Sequence, residues 1–159
     1  MLDGLAFVKA QVDGGARPEG ARVLRVGAGG AGGAGGAIAV ALLDAGVREL
    51  IIHDADASRT QDLSSALAAR AAGRASVGAP DPTGCDMVRN ATSAGLKDGD
   101  ELPIAAHLLG PSMFVGDVIA GHGMTPLLQA AGAAGRRTAG SDPMVEAVQD
   151  MMLDFMWGN

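Results

Sequence analysis

Val23-Leu24-Arg25-Val26 runs without a break into Gly27-Ala28-Gly29-Gly30-Ala31-Gly32-Gly33-Ala34-Gly35-Gly36, then into Ala37-Ile38-Ala39-Val40-Ala41-Leu42-Leu43, with Gly46 just beyond. An apolar β-type run, a glycine loop and an alanine-rich helical run, in that order, form the context in which a glycine fingerprint signifies dinucleotide binding. Glycine lets the backbone turn tightly and approach a pyrophosphate, whose charge then rests on the unpaired N–H groups at the helix start. The repeat offers the GxGxxG pattern in two registers, Gly27/Gly29/Gly32 and Gly30/Gly32/Gly35. A low-complexity Gly/Ala loop is the bland reading, but such loops are rarely framed by a strand and a helix. Gly27, Gly29, Gly30, Ala31 and Gly32 are therefore the expected pyrophosphate-binding residues of a nicotinamide dinucleotide site.

The next landmark, Leu50-Ile51-Ile52-His53-Asp54, reads as a second buried strand, and Asp54 lies 19 residues beyond Gly35. That is close to the spacing at which an acidic side chain accepts hydrogen bonds from the adenosine ribose hydroxyls. A carboxylate there repels a 2′-phosphate, so NAD is expected in preference to NADP. Arg59, just past the strand, is suited either to hold a phosphate or to stack on adenine. Asp54 also suits an N-cap for the following helix, a task for which Asp56 and Ser58 qualify equally.

Short apolar runs alternate with helical segments along the rest of the chain. Helices are expected at Asp3 to Val12, Gly35 to Ala45, Ser58 to Ala72, Thr125 to Ala134 and Pro143 to Trp157, the third with Leu63, Leu67 and Ala71 on one face. Strands are expected at Arg22 to Val26, Glu49 to Asp54, Ala75 to Ala79, Met87 to Ala91, Met113 to Ile119 and Arg137 to Ala139. Strands alternating with helices imply a parallel sheet covered on both faces, hence a single α/β doubly wound, Rossmann-like domain of about six strands spanning residues 1–159. No linker and no repeat beyond the glycine loop stands out.

Composition bounds the function. With 159 residues of which 48% are hydrophobic, the chain can bury a real core as one domain. A net charge of −6 argues against nucleic acid or an anionic membrane surface as partner, so an anionic cofactor must be held by local donors. Cys85 is the single cysteine, which points to a reducing, cytoplasmic setting, and no apolar run approaches a membrane span. His53 and His107 have no ligand spacing with each other or with Cys85, so no metal site is expected. His122, in Gly-His-Gly, is a candidate acid or base by its chemistry but reads better as an incidental surface histidine, and Met151, Met152 and Met156 read as core or interface filling. Asn90-Ala91-Thr92 ends a central strand at its carboxyl edge, where its polar groups are placed either to contact the nicotinamide ribose or to stabilise a turn.

Taken together these motifs resemble the cofactor-binding half of the shikimate/quinate dehydrogenase family. Asp3-Gly4-Leu5-Ala6-Phe7 is similar to its NTDGxGF segment, Val23 to Ala31 to its VLxxGAGGA loop, and Asn90-Ala91-Thr92 to its NATPxG strand end. Gly116-Asp117-Val118 with Thr125-Pro126-Leu127-Leu128 resembles DvvYxPxxTPLL, and Gly140, Met144, Gln149 and Phe155 resemble the closing helix. The segment from Asp54 to Arg59 is most similar to the NAD-preferring branch. The resemblance implies a nicotinamide-dependent oxidoreductase of aromatic amino acid biosynthesis, with Asp3 as acid–base residue, Asp54, Arg59, Asn90, Thr92 and Asp117 at the cofactor, and Gln149 at the substrate.

The departures are equally specific. The family pairs the Asp of NTDG with a Lys carried in NxTxPxK by an N-terminal substrate domain of roughly a hundred residues, a compact-domain size. That domain is expected to be absent here, for NxTxPxK occurs nowhere and the lysines are Lys9 and Lys97. Ala120 stands in place of the Tyr and Ser93 in place of the Pro of NATP, the glycine loop is three residues longer, and Gln149 lies five residues after Met144 where the family has four. Two readings follow: a dehydrogenase half completed by a separate substrate-domain chain, or a dinucleotide-binding or oligomerising module without turnover. In either case Leu5, Phe7 and Val8 are expected to present an uncovered apolar face and drive homodimer formation.

Overall fold

The computed structural model describes residues 2–27, 29, 34–97, 100–119, 123–141, 148–149 and 157, with Leu2, Asp3 and Ala34 described by their backbone. Its elements are α1 (Leu2–Asp13), β1 (Arg22–Val26), α2 (Ala34–Asp44), β2 (Glu49–His53), α3 (Ala57–Ala71), β3 (Ala75–Val77), β4 (Met87–Asn90), β5 (Phe114–Asp117), α4 (Pro126–Ala133) and β6 (Arg137–Ala139). The strands form one six-stranded parallel sheet in the order β3-β2-β1-β4-β5-β6, the order of the doubly wound dinucleotide-binding fold. The switch in strand order falls between β1 and β4, in register from Val23 with Met87 to Val26 with Asn90.

The four central strands, β1, β2, β4 and β5, contribute alternate residues to two cores. Val23, Leu50, Ile52, Met87 and Phe114 pack under α1, α2 and α3, while Leu24, Ile51, Val88 and Val115 pack against α4 and the segment from Ile104 to Met113. Sheets buried on both faces require such continuous apolar strands. Leu63, Leu67 and Ala71 form the buried stripe of α3 as their spacing predicts. The crossover from β4 to β5 contains a 3₁₀ turn at Ala106–Leu108 that the sequence pattern does not announce.

Strands β1 and β6 have the expected bounds, and the other ends differ by at most two residues, the most at β3 and β5, whose expected ends at Ala79 and Ile119 have already left the ladder. The expectation of an uncovered face at Leu5, Phe7 and Val8 is corrected. Phe7 is fully buried against the sheet, Val8 is partly buried, and Leu5 is half exposed. Helix α1 lies so close to α2 that a Cβ on Gly4 would collide with the carbonyl group of Ala37. Gly30, Ala31, Gly32, His122, Met151, Met152 and Met156 lie outside the described residues, as does most of the expected closing helix, of which residues 148, 149 and 157 are helical.

Candidate dinucleotide site at the switch point

The carboxyl ends of β1, β2 and β4 open into a cleft of about 640 Å³. In open α/β sheets this edge, at the switch in strand order, is where ligands lie. Gly27 closes β1 with φ +96, its N–H donating to His53 O at 2.7 Å. A Cβ there would stand 2.7 Å from Ala91 O and 2.8 Å from Thr92 Cγ2, so only glycine lets the loop leaving β1 pass the end of β4. Gly29 also has positive φ, at +63. A backbone cradle that side chains would fill, opening at the start of a helix, fits a pyrophosphate group held by amide donors.

Of the residues expected at the cofactor, Gly27, Gly29, Asp54, Arg59 and Thr92 line this one cleft. Asp54 follows β2, and its Oδ1 accepts the backbone N–H of Asp56 at 2.9 Å. The N-cap of α3 is Asp56, which accepts from Ser58 N at 2.9 Å and from Ser58 Oγ at 2.6 Å. Those hydrogen bonds hold the Asp56 carboxyl below the usual carboxylate range. Asp54 is thereby relieved of the capping task and stands over the cleft. Arg59, one turn into α3, lies 3.4 Å from the Asp56 carboxylate through Nε.

Asn90 and Asp117 sit behind the cleft wall, both fully buried. Asn90 Oδ1 accepts from Thr92 N at 3.0 Å and Thr92 Oγ1 at 2.7 Å, while its amide donates to Thr92 O and to Asp117 Oδ2 at 3.2 Å. Asp117 accepts further from Thr125 Oγ1 at 2.8 Å and Ile119 N at 3.1 Å, and Thr125 caps α4 through Leu128 N. The NAT and TPLL motifs are thus joined through one aspartate, which fixes the ends of β4 and β5 and the start of α4 together. Asp3 occupies the first turn of α1, beside the α2 turn that carries Ala37, and Gln149 is helical and exposed.

His53, Lys97 and Asp100 also line the cleft and were not singled out by the motifs. His53 Nδ1 is 3.0 Å from Gly78 O, an acceptor, so this nitrogen carries the proton. Their one sequence signal is position, since each lies on or after a strand whose carboxyl end meets the switch point. Among the described residues no group of three His, Cys, Asp or Glu side chains is placed to hold a metal, and no helix is long and apolar enough to cross a membrane.

No family model matches the sequence. A shikimate dehydrogenase (NADP(+)) of Rubrobacter xylanophilus is 37% identical over 122 residues, covering 74% of this chain and 42% of that protein. The ligand-free 5-ketofructose reductase of Gluconobacter sp. strain CHM43 superposes with a TM-score of 0.86 at 30% identity, over 99% of this chain and 57% of that one. Quinate dehydrogenase from Corynebacterium glutamicum, solved in complex with NAD, gives a TM-score of 0.80 at 28% identity, over 92% of this chain and 53% of that one. The chain therefore spans about half the length of the relatives it matches. Curated and structural neighbours point to the shikimate/quinate dehydrogenase family, and the chain matches the C-terminal NAD(P)-binding half of those enzymes.

Proposed function

We propose that this chain is the nicotinamide dinucleotide-binding half of a shikimate- or quinate-type dehydrogenase and that it takes NAD in preference to NADP. The observation that carries the reading is the cradle at Gly27, closed by Ala91 and Thr92 and opening on Asp54. Gly27 and Gly29 would admit the pyrophosphate to the start of α2, and Asp54 would accept from the adenosine ribose diol. Asp54 sets a carboxylate in the cleft that would repel a 2′-phosphate, and Arg59 already has the Asp56 carboxylate 3.4 Å from its Nε, which supports NAD. So does the complex of the quinate dehydrogenase relative with NAD. Gly27, Gly29 and Asp54 would hold a cofactor whose chemistry would be hydride exchange with a hydroxyl-bearing carbon of a ring hydroxy acid. The chain's own residues bind and orient it, with Asn90, Asp117 and Thr125 holding the wall in place and Asp3 available for proton transfer.

Oxidation also requires a partner for Asp3, and NxTxPxK is missing from the sequence. We infer that a substrate domain outside these residues completes the site. Alone, the chain would be a dinucleotide-binding module without turnover, since a missing acid–base group costs transition-state stabilisation that the cofactor cannot replace. The exposed Leu5 and Val12 of α1 support association of two copies, and the lone buried Cys85 suits a reducing cytoplasm.

Calorimetric titration of NAD, NADH, NADP and NADPH into the purified chain and into Asp54→Ala tests the cofactor. Tighter binding of NAD than NADP is expected, with Asp54→Ala narrowing the gap by about tenfold, the value of one or two lost hydrogen bonds to a charged acceptor. Equal or tighter NADP binding by the unmodified chain refutes the preference. Shikimate or quinate oxidation that survives Asp3→Asn refutes the role of Asp3, and a monomer in sedimentation refutes the dimer.

A further inference from the structure

Two arginines lie side by side inside this acidic chain. Arg25 on β1 and Arg89 on β4 are register partners, share the sheet face covered by α1 and α2, and are both fully buried. A buried guanidinium loses its hydration, a cost that remains unless its surroundings replace the water. Around Arg89 they include two aromatic faces, Phe114 at 4.9 Å and Phe7 at 5.8 Å from its guanidinium carbon. Arg25 has a different setting, because it is the penultimate residue of β1 and its side chain reaches the glycine loop. A methyl group built on Gly29 would stand 3.8 Å from Arg25 Nη2 and 3.4 Å from the Cα of Gly35 in the first turns of α2. Asp54, on the other side of the cleft, acts on the same guanidinium electrostatically.

We propose that Arg25 is a positioning residue of the dinucleotide site, supplying from beneath Gly29 the fixed positive charge that a pyrophosphate group meets at the start of α2. The proposal rests on the dinucleotide reading above and adds a residue that the glycine fingerprint does not contain. A chain of net charge −6 needs local positive potential to hold a dianionic linkage. The loop amides and the α2 terminus provide part of it. A buried cation provides more, because its field is poorly screened by salt or solvent. Burial lowers the Arg25 pKa to about 10 and Asp54 opposes that fall, so the group stays charged at neutral pH.

The test is calorimetric titration of NAD, ADP and adenosine into the unmodified chain, Arg25→Met, Arg25→Lys and Arg89→Met at low and high salt. Arg25→Met is expected to weaken NAD and ADP about tenfold or more, and by a similar factor at low and high salt because a buried charge is poorly screened, with adenosine unaffected. Arg25→Lys restores most of the loss, and Arg89→Met, which removes an equally buried guanidinium away from the loop, binds like the unmodified chain. Should Arg25→Met fail to fold, Arg25→Gln makes the same neutral comparison. The proposal is overturned if the neutral variant binds NAD and ADP within twofold of the unmodified chain, if adenosine is lost in parallel, or if Arg89→Met shows an equal loss. An unmodified chain that binds no dinucleotide overturns the functional reading itself, whereas normal binding with an indifferent Arg25 variant overturns this proposal alone.

Discussion

Arg89 on β4 and Gly116 on β5 face each other in register, and the space that a Gly116 side chain would take is filled by Arg89 and by Gln11 of α1. A methyl group on Gly116 would stand 2.8 Å from Arg89 Nη1 and 3.0 Å from its Cδ, and would overlap the amide oxygen of Gln11. Arg89 is pinned between the rings of Phe7 and Phe114, so it has little room to yield. Gly116→Ala is therefore expected to destabilise the fold by about 2 kcal/mol, a fall of roughly 4–8 °C in Tm. Arg89→Val in the same chain should recover the part of that loss that Arg89 causes, leaving the overlap with Gln11. A double-mutant cycle by thermal denaturation checks this, and strictly additive effects would refute the steric account.

Gln11 offers a sharper test of the same region. Its side chain is buried, and neither Nε2 nor Oε1 has a hydrogen-bond partner among the described residues. An amide held so is a cost to the folded state, one that an apolar side chain of similar size avoids. Gln11→Leu is expected to leave stability unchanged or raise it by about 1 kcal/mol in urea denaturation. A loss of more than that would mean the amide is satisfied in solution, for example by a bound water.

Much of this architecture is legible in the sequence because its signals are local and contiguous. The run from Val23 through the glycines to Leu43 contains a strand, a turn and a helix in one stretch, and the parallel sheet, though not its strand order, follows from the alternation of strands with helices. Arg25 and Arg89 were not legible as interior residues, since charge normally signifies surface. Strand parity carried the hint, for Arg25 shares its face with Val23 and Arg89 with Met87. The choice of Asp56 over Asp54 as the α3 cap depends on backbone angles at the end of β2, which the pattern of residue types leaves open. Lys97 and His53 reach the cleft through topology, because loops distant in sequence converge where the strand order reverses. Phe7 was misplaced because the notion of an uncovered face ignored the sheet beneath α1.

Asp117 ties β4, the chain after β5 and the cap of α4 together through its carboxylate. Asp117→Ala removes an acceptor from Thr125 Oγ1, Asn90 Nδ2 and Ile119 N at once, leaving Asn90 with its bond to Thr92 O and the other two without this partner. A loss of about 3–4 kcal/mol is expected in urea denaturation, with faster amide exchange at Ile119 and Leu128. Asp117→Asn keeps an acceptor oxygen and should lose less. If Asp117→Ala is as stable as the unmodified chain, the network is not what joins β5 to α4.

The tie between α2 and α3 makes an acid-dependent prediction. Arg70 meets Asp44 through two parallel hydrogen bonds, Nε to Oδ1 at 2.9 Å and Nη2 to Oδ2 at 2.7 Å. This contact, first through its hydrogen bonds, holds the Asp44 carboxyl below its ordinary value of 3.8. With the folded-state pKa depressed, the unfolded chain binds the proton more readily, so the stabilisation is fully present above about pH 4 and is lost as pH falls through the folded-state value. Both side chains are about half exposed, so solvent screening keeps the effect small. Asp44→Asn should lower Tm by no more than about 2 °C at pH 7 and by nothing measurable near pH 2. The difference should also shrink in high salt. Melting curves of the two chains between pH 2 and pH 7 decide the matter, and a gap that persists unchanged to the acid end would show that Asp44 stabilises the helix pair by something other than its charge.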